Sequence, residues 1–127
     1  GELQEGQAWE AIAAAAHYKL DNFTAIVDYN RLQIDGTNDQ VMSLGDLPAR
    51  FIALGYDVIK LEDGNNLQAI IDAYNSPFVT GKPRCIIAYT TKGKGVSIME
   101  NQVGWHGKAP STDEYKQAME ELEKQYV

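Results

Sequence analysis

Apolar residues fall in blocks whose period changes along the chain, and the changes mark the elements. Residues 4–18 read as a helix whose middle, Ala8-Trp9-Glu10-Ala11-Ile12-Ala13-Ala14-Ala15-Ala16, is apolar nearly all round. Such a pattern predicts a buried helix rather than a surface one. Its four successive alanines also permit close approach by a neighbouring backbone or subunit. Lys19-Leu20-Asp21-Asn22 ends the helix, and residues 23–28 follow as a strand without polar alternation. A continuous apolar run of this kind suits a parallel sheet covered on both faces. Residues 31–45 are polar and turn-rich, with Asp35-Gly36 marking a tight reversal.

Asp46 then reads as a helix N-cap, with Pro48 in the first turn and Gly55 as terminator. Residues 56–61 form a strand, 62–65 a turn, 66–74 a helix and 84–90 a further strand built on Cys85-Ile86-Ile87-Ala88-Tyr89. Residues 91–110 make a long glycine-containing loop, a length that in compact domains is commonly functional or mobile. Ser111 and Glu114 have the spacing of a capping box. The closing helix, 113–125, sets Tyr115, Ala118, Met119 and Leu122 on one face. Strands alternating with helices at this spacing predict an α/β fold with a parallel sheet flanked by helices on both faces.

Composition narrows the function classes. At 127 residues the chain is one domain at most, short for a cofactor enzyme. Its hydrophobic content of 44% and charged content of 23% are ordinary for a globular protein. A net charge of −7 argues against nucleic acid as a partner. No stretch approaches the ~18 apolar residues of a membrane span, and no signal peptide is visible. The single cysteine, Cys85, excludes an internal disulfide and reads as a small core residue. A reducing, cytoplasmic location fits it.

In open α/β sheets, ligands collect outside the carboxyl ends of the strands. That principle puts Asn30, just past the first strand, and the 91–110 loop on one edge. The turn Gly1-Glu2-Leu3-Gln4-Glu5-Gly6 joins them there if another strand precedes it. Backbone N–H groups opening a helix suit phosphate, and side-chain oxygens suit hard cations such as Mg²⁺. Alone, an asparagine after a strand more often serves a turn than a metal. His106 lies between Trp105 and Gly107 in the loop, whereas His17, at the end of the first helix, suits a structural role beside the helix dipole. Gly93-Lys94-Gly95 lacks the pattern of a Walker phosphate loop.

Taken together, Gly1–Gly6, Trp9-Glu10-Ala11, Lys19-Leu20-Asp21-Asn22, Asp28-Tyr29-Asn30-Arg31-Leu32 and Trp105-His106-Gly107-Lys108 resemble the thiamine diphosphate-binding region of transketolases. The resemblance spans nearly the whole chain. Gly93-Lys94-Gly95-Val96-Ser97 with Trp105-His106-Gly107-Lys108 is most similar to the amino-terminal subunit of split bacterial and archaeal enzymes. Gly1-Glu2 match the end of the family's Gly-Asp-Gly motif, so the metal-binding Asp would fall immediately before the first residue. On this resemblance, residues 1–127 are a partial diphosphate- and metal-binding domain, incomplete at the N-terminus.

The resemblance implies roles residue by residue. Asn30 would bind both metal and diphosphate, Leu32 would offer its backbone carbonyl to the metal (Mg²⁺ or Ca²⁺), and Gly1 would lie against the diphosphate. Ile34 would pack near the thiazolium, with a buried loop hydrophobe as its plainer reading. Lys92 and Lys108 match basic positions near the cofactor, although Lys92 and Lys94 read equally well as a solvated pair. His106 would contact cofactor and substrate and assist proton transfer. Glu5 and Glu10 would belong to an acidic network at the subunit interface; carboxylates in a helix's first turns are otherwise ordinary. Glu10 sits in an apolar stretch, and a buried carboxylate needs a partner.

The implied reaction transfers a two-carbon ketol unit from a ketose phosphate to an aldose phosphate, with the cofactor supplying the chemistry. An aminopyrimidine-binding domain or subunit would complete the site, in a homodimer or heterotetramer, and the isolated chain is expected to be inactive. Deoxyxylulose-phosphate synthase and the 2-oxo acid dehydrogenase E1 component share the metal–diphosphate motif. They account less readily for Leu3-Gln4-Glu5-Gly6, Asn30-Arg31-Leu32 and Trp105-His106-Gly107-Lys108 together. A non-catalytic fragment or assembly module retaining the sheet is the alternative from another class.

Overall fold

A computed structural model describes residues 1–125. Within them, five helices and five strands follow one another as α1 (Gly6–His17), β1 (Thr24–Asp28), β2 (Leu32–Gln33), β3 (Gly36–Thr37), α2 (Asn38–Val41), α3 (Leu47–Ala53), β4 (Asp57–Leu61), α4 (Leu67–Asn75), β5 (Arg84–Ala88) and α5 (Thr112–Glu123). Short 3₁₀ turns occupy Glu2–Gln4 and Val103–Trp105. The main sheet has the order β1-β5-β4 and is parallel throughout, with Asp28, Ala88 and Leu61 in register at its carboxyl end. A two-residue antiparallel hairpin, β2–β3, stands apart from it.

Helix starts follow their sequence signals. Asp46 Oδ1 accepts from Ala49 N at 2.9 Å, and Asn66 Oδ1 from Ala69 N at 3.0 Å. Ser111 and Glu114 close the expected capping box on α5. Each satisfies a backbone donor that the helix itself leaves unpaired.

The central strand β5 is buried along its whole length and sends alternate residues to opposite faces. Cys85 and Ile87 meet Ile12 and Ala15 of α1 and Leu47 and Phe51 of α3. On the other face, Ile86 and Ala88 meet Ala73 of α4. Helices on both faces are therefore what the alternation predicted. Tyr56 closes the first core by donating its hydroxyl to Ile12 O at 3.0 Å. Burial pushes the Cys85 thiol up to about 12, which makes it an inert core residue.

Two expectations need correction. Ile26 of β1, level with Ile86, is 60% exposed because α4 covers only β4 and β5 on that face. Full two-sided cover holds for β5 and not for β1. Likewise α1 buries only Ile12 and Ala15, while Glu10, Ala13, Ala14 and His17 lie exposed on its outer side. An alanine-rich composition gave no direction to distinguish those faces.

Among the described residues, Arg84 is the one charged side chain buried in the core, at 1% exposure. Its guanidinium meets Asp57 at 3.4 Å, donates to Ser76 O at 2.9 Å and to Pro77 O, and lies 4.3 Å from the Phe78 ring centroid. It thereby satisfies carbonyls at the end of α4 that have no helical donor. Arg84 ties the start of β5 to the helix that precedes it. No helix among the described residues is long and apolar enough to cross a membrane.

Candidate functional site

The carboxyl end of the sheet is built by two departures of the chain, one after β1 and one after β5. After Asp28, Tyr29 still pairs with the sheet through Ala88 O at 2.8 Å, and its ring packs edge-on against Tyr89. Asn30 then turns the chain. Its Oδ1 accepts from Leu32 N at 2.9 Å, an Asx turn. Arg31 between them takes a left-handed conformation, φ 66°, which costs a non-glycine residue about 1–2 kcal/mol. An amide oxygen has two lone pairs, so the turn leaves Asn30 a second acceptor site for a ligand.

The opening turn reaches the same place. Gln4 N bonds to Gly1 O at 3.1 Å, and Trp9 Nε1 donates to Leu3 O at 2.6 Å, fixing the turn to α1. Gln4 and Gln33 both donate to Met42 O, at 2.9 and 3.2 Å. Those bonds join the turn to the hairpin side of the cleft.

After β5 the chain enters the 91–110 loop. Asn65 Oδ1 accepts from Thr91 N at 2.8 Å, and Lys92 O accepts from Asn101 N at 2.9 Å. Gly93 turns at φ 70°, and a Cβ there would stand 2.6 Å from Met99 Cβ, so only glycine fits. His106 closes the Val103–Trp105 turn, its N–H donating to Val103 O at 3.0 Å.

These segments enclose a cleft of about 600 Å³ lined by Gly1, Glu5, Asn30, Leu32, Ile34, Lys92 and His106, together with Glu2, Asp28, Gln33, Asp35 and Val103. Seven of the nine residues singled out in the sequence thus meet at one site. Two do not line it. Glu10 is exposed on the outer side of α1, instead of buried with a partner. Lys108 puts its ammonium 2.7 Å from Glu114 and 4.1 Å from the Trp105 ring centroid, since a carboxylate and an aromatic face both stand within its reach.

Sequence reasoning assigned no role to Asp28, whose carboxylate receives the Thr90 hydroxyl across the ends of β1 and β5. The available signal was position: Asp28 ends β1, and Thr90 lies two residues past the end of the neighbouring strand. Among the described residues, four carboxylates (Glu2, Glu5, Asp28 and Asp35) face the cleft against one lysine. This balance repels a bare diphosphate and suits a diphosphate neutralised by a cation. No group of three or more His, Cys, Asp or Glu side chains among the described residues is arranged to hold a metal. The amide of Asn30 and the peptide carbonyl of Leu32 are oxygen donors of another kind, suited to a hard cation that takes further oxygens from phosphate.

The 91–110 loop, of a length that is commonly functional or mobile, is tied to the rest of the chain. Helix α5 holds it: Glu121 accepts from Ser97 N at 2.5 Å and from Ser97 Oγ at 2.7 Å, and Gln125 donates to Gly95 O at 2.7 Å. Hydrogen bonds from Gln117 and Ser97 hold the Glu121 carboxyl at about 2, and those from Lys108 and Ser111 hold Glu114 at about 2. Both values are depressed in the folded state. Their contribution is therefore present above the ordinary carboxylate range and is lost as pH falls through about 2. Carbon-13 titration of the two carboxyls should place both midpoints well below 4, and Gln117→Leu should raise that of Glu121. An unshifted Glu121 in the parent protein would show that α5 does not hold the loop this way.

Residues 1–125 match the family model described as "Transketolase, thiamine diphosphate binding domain". An apulose-4-phosphate transketolase subunit of Phocaeicola vulgatus is 44% identical over 123 residues, which cover 96% of this chain and 43% of that protein. The 6-deoxy-6-sulfo-D-fructose transketolase subunit SqwG of a Clostridium species is 37% identical, covering 98% of this chain and 46% of the relative. This chain thus spans less than half the length of these relatives. Among solved structures, transketolase from Campylobacter jejuni superposes with a TM-score of 0.83 at 33% identity, over 97% of this chain and 19% of that one. Fold and sequence agree: the chain belongs to the transketolase family, in its thiamine diphosphate-binding domain.

Proposed function

We propose that the chain is the diphosphate- and metal-holding part of a transketolase. The complete protein would move a two-carbon ketol unit from a ketose phosphate to an aldose phosphate in the cytoplasm, as in the pentose phosphate pathway. Two of the relatives named above are single subunits of transketolases, which supports a split enzyme. One observation carries the reading: Gly1, Asn30, Leu32, Lys92 and His106, far apart in sequence, line one cleft at the strand carboxyl ends.

In this reading Asn30 Oδ1 and the Leu32 carbonyl hold Mg²⁺ (or Ca²⁺), and Gly1 and Lys92 receive the diphosphate. Ile34, 68% exposed beside the cleft, offers an apolar surface to the thiazolium. Thiamine diphosphate, when bound, supplies the electron sink for making and breaking the carbon–carbon bond. The imidazole of His106 takes and returns a hydroxyl proton of the sugar at a ring nitrogen. Glu5 reaches the cleft, while Glu10 and the exposed alanine side of α1 offer a surface to a second protomer. In a homodimer or heterotetramer, the aminopyrimidine-binding domain would cover that surface.

Calorimetry on the complete protein with its partner domain should give thiamine diphosphate binding that requires a divalent cation. A coupled assay across ketose and aldose phosphates should then give ketol transfer. Metal-dependent binding without transfer to any acceptor would leave a non-catalytic assembly module instead.

A further inference from the structure

Trp105 is fixed on two sides. Its indole Nε1 donates to Ile98 O at 2.7 Å, and the Lys108 ammonium stands 4.1 Å from its ring centroid. That ammonium does not line the cleft; it sits 2.7 Å from Glu114 Oε1. Glu114 is itself immobilised, because its other oxygen accepts from Ser111 N at 2.8 Å at the start of α5. Seven residues on, two helical turns along the same helix, Glu121 grips Ser97. One helix therefore holds the loop at two points, and the residue between Trp105 and Gly107 is the cleft histidine.

We infer that Lys108 and Glu114 are positioning residues: Glu114 anchors Lys108, Lys108 clamps the face of Trp105, and the clamp sets the His106 imidazole in the cleft. The inference rests on reading His106 as the histidine that works on substrate. An exposed ion pair contributes little to overall stability, and Lys108 is half exposed. A cation held against an indole face adds a fixed orientation to that weak pair. The gain is local order at the adjacent residue, where misplacement by about 1 Å costs on the order of 10²-fold in rate.

Variants of the complete enzyme test this, beginning with Glu114→Gln, Lys108→Met, and each combined with His106→Ala. With thiamine diphosphate saturating, each single variant should lower kcat by ~10–10²-fold. Cofactor affinity should change by no more than about twofold. Neither should lower kcat further once His106 is alanine, because the route runs through that side chain. The charge swap Lys108→Glu with Glu114→Lys loses the cation on Trp105 and should not recover the rate; Lys108→Arg should. Losses that multiply with His106→Ala would overturn the inference. So would a ~10-fold or greater loss of cofactor affinity in Lys108→Met with none in Glu114→Gln, which would make Lys108 a direct cofactor ligand. Hydrogen exchange gives a readout independent of turnover: amides of residues 103–108 should exchange ~10-fold faster in Glu114→Gln. Unchanged exchange would defeat the clamp even in a protein with no transketolase activity. Faster exchange in such a protein would keep the clamp and discard the proposed reaction.

Discussion

His106→Ala in the complete enzyme is expected to lower kcat by ~10²–10⁴-fold, the span typical of general acid–base assistance. Thiamine diphosphate affinity should fall far less, because Asn30, Leu32 and Gly1 reach the cleft from other segments and Lys92 from the opposite end of the loop. The imidazole is exposed there at the end of the Val103–Trp105 turn, with its backbone fixed by the bond to Val103 O. Substitution therefore removes a side chain without unmaking the loop, which Trp105, Ser97 and Gly95 continue to hold. Steady-state kinetics at saturating cofactor separates the two effects, since a group used only in the transition state lowers kcat and kcat/KM together. Wild-type turnover in this variant would reduce His106 to a polar loop residue beside a packed Trp105.

The order and type of the main elements were legible because backbone signals were strong. Val27 and Ile87 sit in continuous apolar runs, and Asp46, Asn66 and Ser111 stand where helices begin. The opening was less so: Glu2–Gln4 forms a 3₁₀ turn, and α1 begins only at Gly6. The hairpin of Leu32–Gln33 with Gly36–Thr37 escaped notice beyond its Asp35-Gly36 reversal, as two-residue strands carry no period to read. Thr37 and Gln40 do form a capping box on α2, a spacing that was there to be found. Side-chain destinations were the least legible. A lysine in Trp105-His106-Gly107-Lys108 matches a basic position near the cofactor, and nothing in the sequence signals that Glu114, six residues on, meets it at 2.7 Å. Glu10 reads as buried because its neighbours are apolar, yet its direction depends on which side of α1 faces the sheet. Asp28 was visible as a strand end, but its place in the cleft required knowing that β5 lies beside β1.

Asn30→Ala should weaken metal-dependent thiamine diphosphate binding by ~30–150-fold, the equivalent of ~2–3 kcal/mol. The side chain is proposed to serve metal and diphosphate together, and hydrogen bonds to charged groups are worth ~1.5–3 kcal/mol on their own. The same oxygen also accepts from Leu32 N at 2.9 Å. Alanine therefore also releases the turn that carries the chain from Asn30 to Leu32, at a cost to folding of ~0.5–1.5 kcal/mol. Asn30→Asp separates the two losses. Aspartate keeps the acceptor for Leu32 N and an oxygen for the cation, but brings a fifth carboxylate to a cleft already lined by Glu2, Glu5, Asp28 and Asp35. It should preserve the melting temperature and the metal requirement while weakening the cofactor, because the added charge opposes diphosphate. Calorimetry across a magnesium series, with a thermal melt on each variant, distinguishes loss of the ligand from loss of the turn. Unchanged cofactor affinity in Asn30→Ala would return Asn30 to the role its geometry already displays, a turn residue at the end of β1.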